Sequence, residues 1–319
     1  MPDTSHGTSH GTSRRHLMMA SSTLGLMSLV SSAESAEPKA AQPADQVDRG
    51  FVRLSEGLVH YRSMGKPGGK RIPVLLAHAG PGSSAGMVAY MPELSKTRYV
   101  IAPDMLGNGD SAAPARAETD IAYYVDATLR FMDALKIEQV DFFGAHTGAQ
   151  IGCQMAVHHP ARIRRLALDG VPLFPPAFKR ELAEQYAPHI TPDAWGGHLA
   201  WAWNFVRDQS LYWPHYSQDS AHRLANGVAP PEGLQRGVLD VLKALPTYHI
   251  AYRAAFQQDV HSLLPQLRHP TLLMASLRDP LSTYLDEAAS LVKDAKKVML
   301  SAEAGAAGKL AAVAPFFDA

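Results

Sequence analysis

Val140-Asp141-Phe142-Phe143-Gly144-Ala145-His146-Thr147-Gly148 carries an apolar run straight into a glycine-framed turn, and a helical pattern through Ile151 to His158 follows it. A strand that turns at once into a helix holds its central residue in a strained conformation, with the side chain projecting above the sheet. The residues two before and two after that centre must be small, because strand and helix approach closely there. Gly144 and Gly148 satisfy this around position 146; a turn centred on Thr147 would put Ala145 and Ala149 at the flanks, a poorer fit. The reading places His146 at the apex and Thr147 at the start of the helix.

The same rhythm extends to both sides. Arg71–Ala77, Tyr99–Ala102, Leu166–Leu168, Thr271–Met274 and Val298–Leu300 are short apolar runs, and a helix is expected from about Ile121 to Leu135, with Phe131, Met132 and Leu135 on one face. Apolar strands alternating with helices predict an α/β fold whose mostly parallel sheet is covered by helices on both faces. Functional loops of such a sheet lie at the carboxyl ends of its strands. Three Gly-rich loops fall there: His78-Ala79-Gly80-Pro81-Gly82, Asp104-Met105-Leu106-Gly107-Asn108-Gly109-Asp110-Ser111, and Gly144 to Gly148.

In this order the three loops resemble the alpha/beta-hydrolase fold family, from about residue 50 to the chain end, and within it the iminopeptidase, epoxide-hydrolase and dehalogenase types that carry a cap lobe. The resemblance implies an oxyanion hole built from the N–H groups of Gly80 and Thr147. It also implies a Ser, Asp, His triad in that chain order. The acid falls on Asp279 in Leu277-Arg278-Asp279-Pro280, just after the strand Thr271 to Ser276. The chain departs from the pattern in two catalytic places. The apex is His146 instead of serine, and the Gly-His pair expected after the last strand is replaced by Ala302-Glu303-Ala304-Gly305-Ala306-Ala307-Gly308 and a short helix to Ala319. No histidine follows His269, and Ala79 stands where the family has glycine.

A histidine at the apex is long enough to reach the space of the missing base and to approach Asp279. Asp104 ends a strand beside the site and is an alternative partner, and His78 is placed to support the site from behind. A helix N-terminus disfavours imidazolium while a carboxylate favours it. Either way a neutral imidazole near physiological pH, as a general base requires, is attainable. Three readings stay open: a hydrolase of esters or related carbonyl compounds using His146, a lyase, decarboxylase or carbon–carbon bond-cleaving enzyme using it as acid and base, and a non-catalytic ligand binder.

The rhythm breaks between about Val171 and His269. This stretch reads as an inserted helical cap over 172–269, with helices such as Pro231–Leu245 and Thr247–Gln258; the core would then comprise 51–171 and 270–319. The insert holds all four tryptophans (Trp195, Trp201, Trp203, Trp213) and Tyr186, Tyr212, Tyr216, Tyr248 and Tyr252. Its aromatic rings are expected both to form a core of their own and to roof a pocket. At the other end, Arg14-Arg15 before an uncharged, serine-rich stretch resembles a twin-arginine export signal over 1–33, with a flexible linker over 34–50. That predicts the export machinery as a partner and a periplasmic or secreted location, without a stable membrane anchor.

The 319 residues carry thirty basic and thirty acidic side chains, which argues against a nucleic-acid partner and for a small-molecule substrate. The single cysteine, Cys153, excludes an intramolecular disulfide and any cysteine-cluster metal site. Nothing in the spacing of the histidines fixes a metal, and no phosphate or dinucleotide loop is present, so no cofactor is expected.

Overall fold

The computed structural model describes residues 46–319; the signal expected over 1–33 lies outside them. In chain order the elements are β1 (Asp48–Arg53), β2 (Leu58–Met64), β3 (Val74–Ala77), α1 (Met91–Ser95), β4 (Val100–Pro103), α2 (Ile121–Ala134), β5 (Val140–Ala145), α3 (Thr147–His158), β6 (Ile163–Asp169), α4 (Pro176–Gln185), α5 (Gly197–Gln209), α6 (Pro231–Lys243), α7 (Tyr248–Gln257), α8 (Val260–Leu263), β7 (Thr271–Ser276), α9 (Leu285–Leu291), β8 (Lys296–Leu300) and α10 (Gly305–Asp318). The eight strands form one sheet in the order β1-β2-β4-β3-β5-β6-β7-β8. The pairs β1–β2 and β2–β4 are antiparallel and every other pair is parallel.

The continuous apolar character of the strands has a direct cause. Leu75, Ile101, Phe142, Leu166, Leu168 and Leu273 point to one face, where α2 and α3 complete the core. Val74, Leu76, Val100, Phe143, Ala167 and Leu272 point to the other, against Met91, Val313, Phe316 and Phe317. With period-two side chains buried on both faces, the central strands are mainly apolar, and a buried exception, Asp141 of β5, is paired with Arg98 and Arg164.

The structure corrects the expected N-terminal boundary. The linker expected over 34–50 runs into β1, which starts at Asp48 and pairs residue for residue with β2. The closing helix is also longer than the short one expected: α10 has 14 residues and starts at Gly305. The segment over 172–269 supplies a third hydrophobic cluster around Leu182, Tyr186, Phe205, Val241, Tyr248 and Tyr252. Its end returns to the main core through Val260, Leu264 and Leu267. Among the described residues no helix is long and apolar enough to cross a membrane.

Candidate active site

The turn at His146 has the geometry its glycines demand. His146 has φ 48° and ψ −109°, a left-handed conformation that is strained for a residue with a side chain. Its N–H donates to the Asp169 carbonyl at 2.8 Å, tying the apex to the end of β6. A Cβ on Gly144 would lie 2.3 Å from the Gly148 carbonyl oxygen, and one on Gly148 would lie 2.3 Å from that of Ala77. Both glycines are therefore required by contact between backbones.

The apex and the expected acid meet. His146 Nε2 lies 2.6 Å from Asp279 Oδ2. Asp279 is fixed in turn, since its Oδ1 accepts the Leu281 N–H at 2.9 Å. With Nε2–H donating to the carboxylate, the lone pair of the neutral ring resides on Nδ1. Some 42% of the His146 side-chain surface stays accessible from the cavity, against 11% for Asp279. Burial alone would lower the His146 pKa, but Asp279 opposes it and the net shift is upward from 6.5. Burial alone would raise Asp279, and His146 holds it below its ordinary value. Of the two opposing influences on the imidazole, the carboxylate prevails.

These directions fix how the pair contributes to stability with pH. The raised histidine stabilises fully below its unfolded pKa, and that part is lost as pH rises through the higher folded value. The lowered carboxyl stabilises above its unfolded pKa and is lost as pH falls through the lower folded value. The melting-temperature difference between the wild type and Asp279→Asn is therefore expected to be largest between about pH 4 and 6.5 and to shrink on both sides. A pH series of calorimetric scans checks this; a difference that grows steadily above neutrality would contradict it.

Gly80 and Thr147 line the cavity beside His146. A Cβ on Gly80 would sit 3.4 Å from Thr147 Oγ1, so the two residues expected to supply the oxyanion donors are close neighbours. Asp104 does not approach His146. Its Oδ2 accepts from His60 Nδ1 and the Asp110 N–H, each at 2.9 Å, and its Oδ1 accepts the Ser84 N–H at 2.6 Å. The alternative partnership with His146 is thereby excluded: Asp104 organises its own loop. His78 is buried, bonded through Nδ1–H to the Ala79 carbonyl and accepting the Met105 N–H at Nε2. It ties two site loops together, and burial lowers its pKa. His60, Asp104 and Asp110 stand close enough to hold an ion. Their facing atoms are already engaged, however, because Arg49 reaches both His60 Nε2 and Asp110. Cys153 is buried and its thiol is pushed up to about 12 by burial, which makes it unreactive.

Sequence reasoning missed the group behind the apex. Asp169, at the end of β6, is 1% exposed and accepts a hydrogen bond from Lys309 Nζ of α10. Burial would lower the Lys309 pKa, but Asp169 outweighs it and the ammonium is held above 10.5. The signal in the sequence was slight: an acid after an apolar strand, and the only lysine in an alanine-rich helix. Gly170 follows Asp169, and a Cβ there would lie 2.5 Å from His146 Cδ2 and 3.0 Å from Asp279 Oδ2. Only glycine leaves room for the pair. Lys309→Met would strand the Asp169 carboxylate, and because that carboxyl can take a proton the cost is limited. A loss of about 2 kcal/mol in a urea titration is expected; an unchanged midpoint would contradict the assignment.

The cavity at the carboxyl ends of the strands has a volume of about 350 Å³. Of the aromatic residues singled out in the insert, Trp213, Tyr186 and Tyr252 line it, together with Phe174 and Phe256. Trp195 is 95% exposed, whereas Tyr248 and Phe205 pack within the lobe. The insert thus supplies both a core of its own and the roof of a pocket.

A sequence model of the alpha/beta hydrolase fold matches residues 72–307, most of the chain and all three site loops. The chain belongs to the alpha/beta hydrolase fold family. Within that family it is similar to 2-hydroxymuconate semialdehyde hydrolases. It is 45% identical over 108 residues to one from Pseudomonas sp. (strain CF600), covering 32% of this chain and 37% of that one. It is 39% identical over 134 residues to one from Pseudomonas putida, covering 41% and 48%. The matches thus span less than half the length of these relatives. Among solved structures it is similar to epoxide hydrolase A from Mycobacterium thermoresistibile, with a TM-score of 0.66, 20% identity and coverage of 85% and 98%. That likeness concerns the fold.

Proposed function

We propose that this chain hydrolyses an ester or related carbonyl substrate, with His146 as the catalytic base. The observation that carries the reading is the 2.6 Å contact between His146 Nε2 and Asp279 at the wall of an apolar cavity. Nδ1 takes a proton from water as the water oxygen attacks the substrate carbonyl carbon. The N–H groups of Gly80 and Thr147 receive the developing oxyanion. The imidazolium, stabilised by Asp279, then returns its proton to the departing alkoxide as the tetrahedral intermediate collapses. Direct attack by Nδ1, giving an acyl-imidazole, uses the same groups. The names of the relatives support hydrolysis as the class of reaction.

A panel of phenyl acetate, phenyl butyrate and an aryl ketone, run on the wild type and Asp279→Asn, tests this. The expected result is turnover of the esters, reduced about a hundredfold in Asp279→Asn. Turnover of the ketone alone would favour carbon–carbon bond cleavage. Thermal stabilisation by the esters without product would favour a binder.

A further inference from the structure

Lys309 directly follows Ala302–Gly308, the stretch that stands where a Gly-His pair was expected. It lies one turn into α10, and its Nζ donates to Asp169 Oδ2. Asp169 is 1% exposed, whereas 20% of the Lys309 side-chain surface stays accessible. The backbone around the carboxylate is held from two sides. The Asp169 carbonyl accepts the His146 N–H at 2.8 Å, and the Gly170 N–H donates to the Met274 carbonyl at 2.9 Å. A Cβ on Gly170 would meet both His146 and Asp279. The ion pair therefore stands immediately behind the pair that the hydrolase reading makes catalytic.

A buried ion pair is a weak source of stability, because desolvation of two charges offsets their attraction. Its charges matter more to its neighbour. Those that act on His146 are Asp279 after β7, Asp169 at the end of β6 and Lys309 on α10. Both carboxylates favour the imidazolium and the ammonium disfavours it. Tyr90, at the end of the turn Ser84–Tyr90, acts on Lys309, and Tyr186 and Tyr252 face the cavity from the insert. Burial pushes all three hydroxyls up, so they stay neutral. With two unopposed carboxylates beside it, the ring would keep its proton to higher pH and could not take one from water near neutrality.

Resting on the hydrolase reading above, we propose that Lys309 and Asp169 are positioning residues for the catalytic base: the ammonium cancels the carboxylate behind the apex and leaves Asp279 alone to govern when His146 carries a proton. Asp169 fixes where that ammonium sits, and the backbone bond from His146 fixes Asp169. Neither residue lines the cavity, so both act through His146.

The test is an NMR titration of the His146 ring protons, assigned by their loss in His146→Ala, in the wild type, Asp169→Asn and the double variant Asp169→Asn/Lys309→Met. The partly accessible ammonium stays charged when its carboxylate is replaced, so the midpoint in Asp169→Asn is expected to fall by roughly one pH unit. Removing both charges is expected to return it to the wild-type position. Asp169→Ser is the second variant should Asp169→Asn fail to fold. A midpoint unmoved in Asp169→Asn overturns the proposal, as a purely structural pair predicts, and so does a fall that Lys309→Met does not reverse. The rising limb of kcat/KM for phenyl acetate is expected to move with the titration. If the midpoints move as stated while esters are inert, only the hydrolase reading falls. If esters are hydrolysed and the midpoints stay together, only the role of the ion pair falls.

Discussion

His146→Ala is expected to lower turnover of phenyl acetate by at least about a thousandfold, while the protein stays folded. Removing the ring deletes the proposed proton acceptor beside Asp279, and general-base catalysis alone contributes on the order of 10² to 10⁴. Loss of orientation by Asp279 adds to this, because the carboxylate then has nothing to hold. The backbone should tolerate the change, since alanine takes the place of a residue already at φ 48°. The glycine frame on either side is untouched. Melting temperature and near-ultraviolet circular dichroism separate lost chemistry from lost structure. His146→Ser is the informative companion. It restores the family's usual apex but not its base, since no histidine follows His269, so it is expected to remain as slow as His146→Ala.

The second large effect concerns the fold. Gly148→Ala puts a Cβ 2.3 Å from the Ala77 oxygen, 2.6 Å from its carbonyl carbon and 2.9 Å from its Cβ. Both sides of that contact are fixed, one by α3 and the other by the parallel pairing of β3 with β5. Nothing can move aside as a flexible side chain would, so strand and helix must separate. A loss of at least about 3 kcal/mol is expected. For a domain of this size that is a fall of roughly 6 °C or more in melting temperature. An unchanged melting temperature would mean that the close approach of α3 to β3 is not a real constraint.

Much of the architecture is legible in the sequence because the physics is local. Gly144 and Gly148 reveal a backbone contact, and central strands buried on both faces show themselves as short, mainly apolar runs, broken in β5 by the ion-paired Asp141. Asp279 is legible for the same reason, since it directly follows such a run. The two antiparallel strands at the β1 end of the sheet are not. β1 and β2 carry Arg49, Arg53, His60 and Arg62 among their apolar residues, and Phe51 is 53% exposed. His60 sits on β2, and without β2 there was no way to see that Asp104 is claimed by His60 and unavailable to His146. Lys309 and Asp169 lie 140 positions apart on different elements, so only the fold brings them together. The protonation of His146 was likewise beyond the sequence, because it depends on the balance between burial and the carboxylate.

The proposed hydrolysis requires His146 to act as the base. The measurement that reaches this most directly is the pH dependence of kcat/KM for phenyl acetate in the wild-type enzyme and in Asp279→Asn. A rising limb is expected whose midpoint lies above 6.5, the ordinary imidazole value from which Asp279 raises this one, and which moves to lower pH in Asp279→Asn. A profile flat across that range, or a limb that stays in place when Asp279 is replaced, would contradict it.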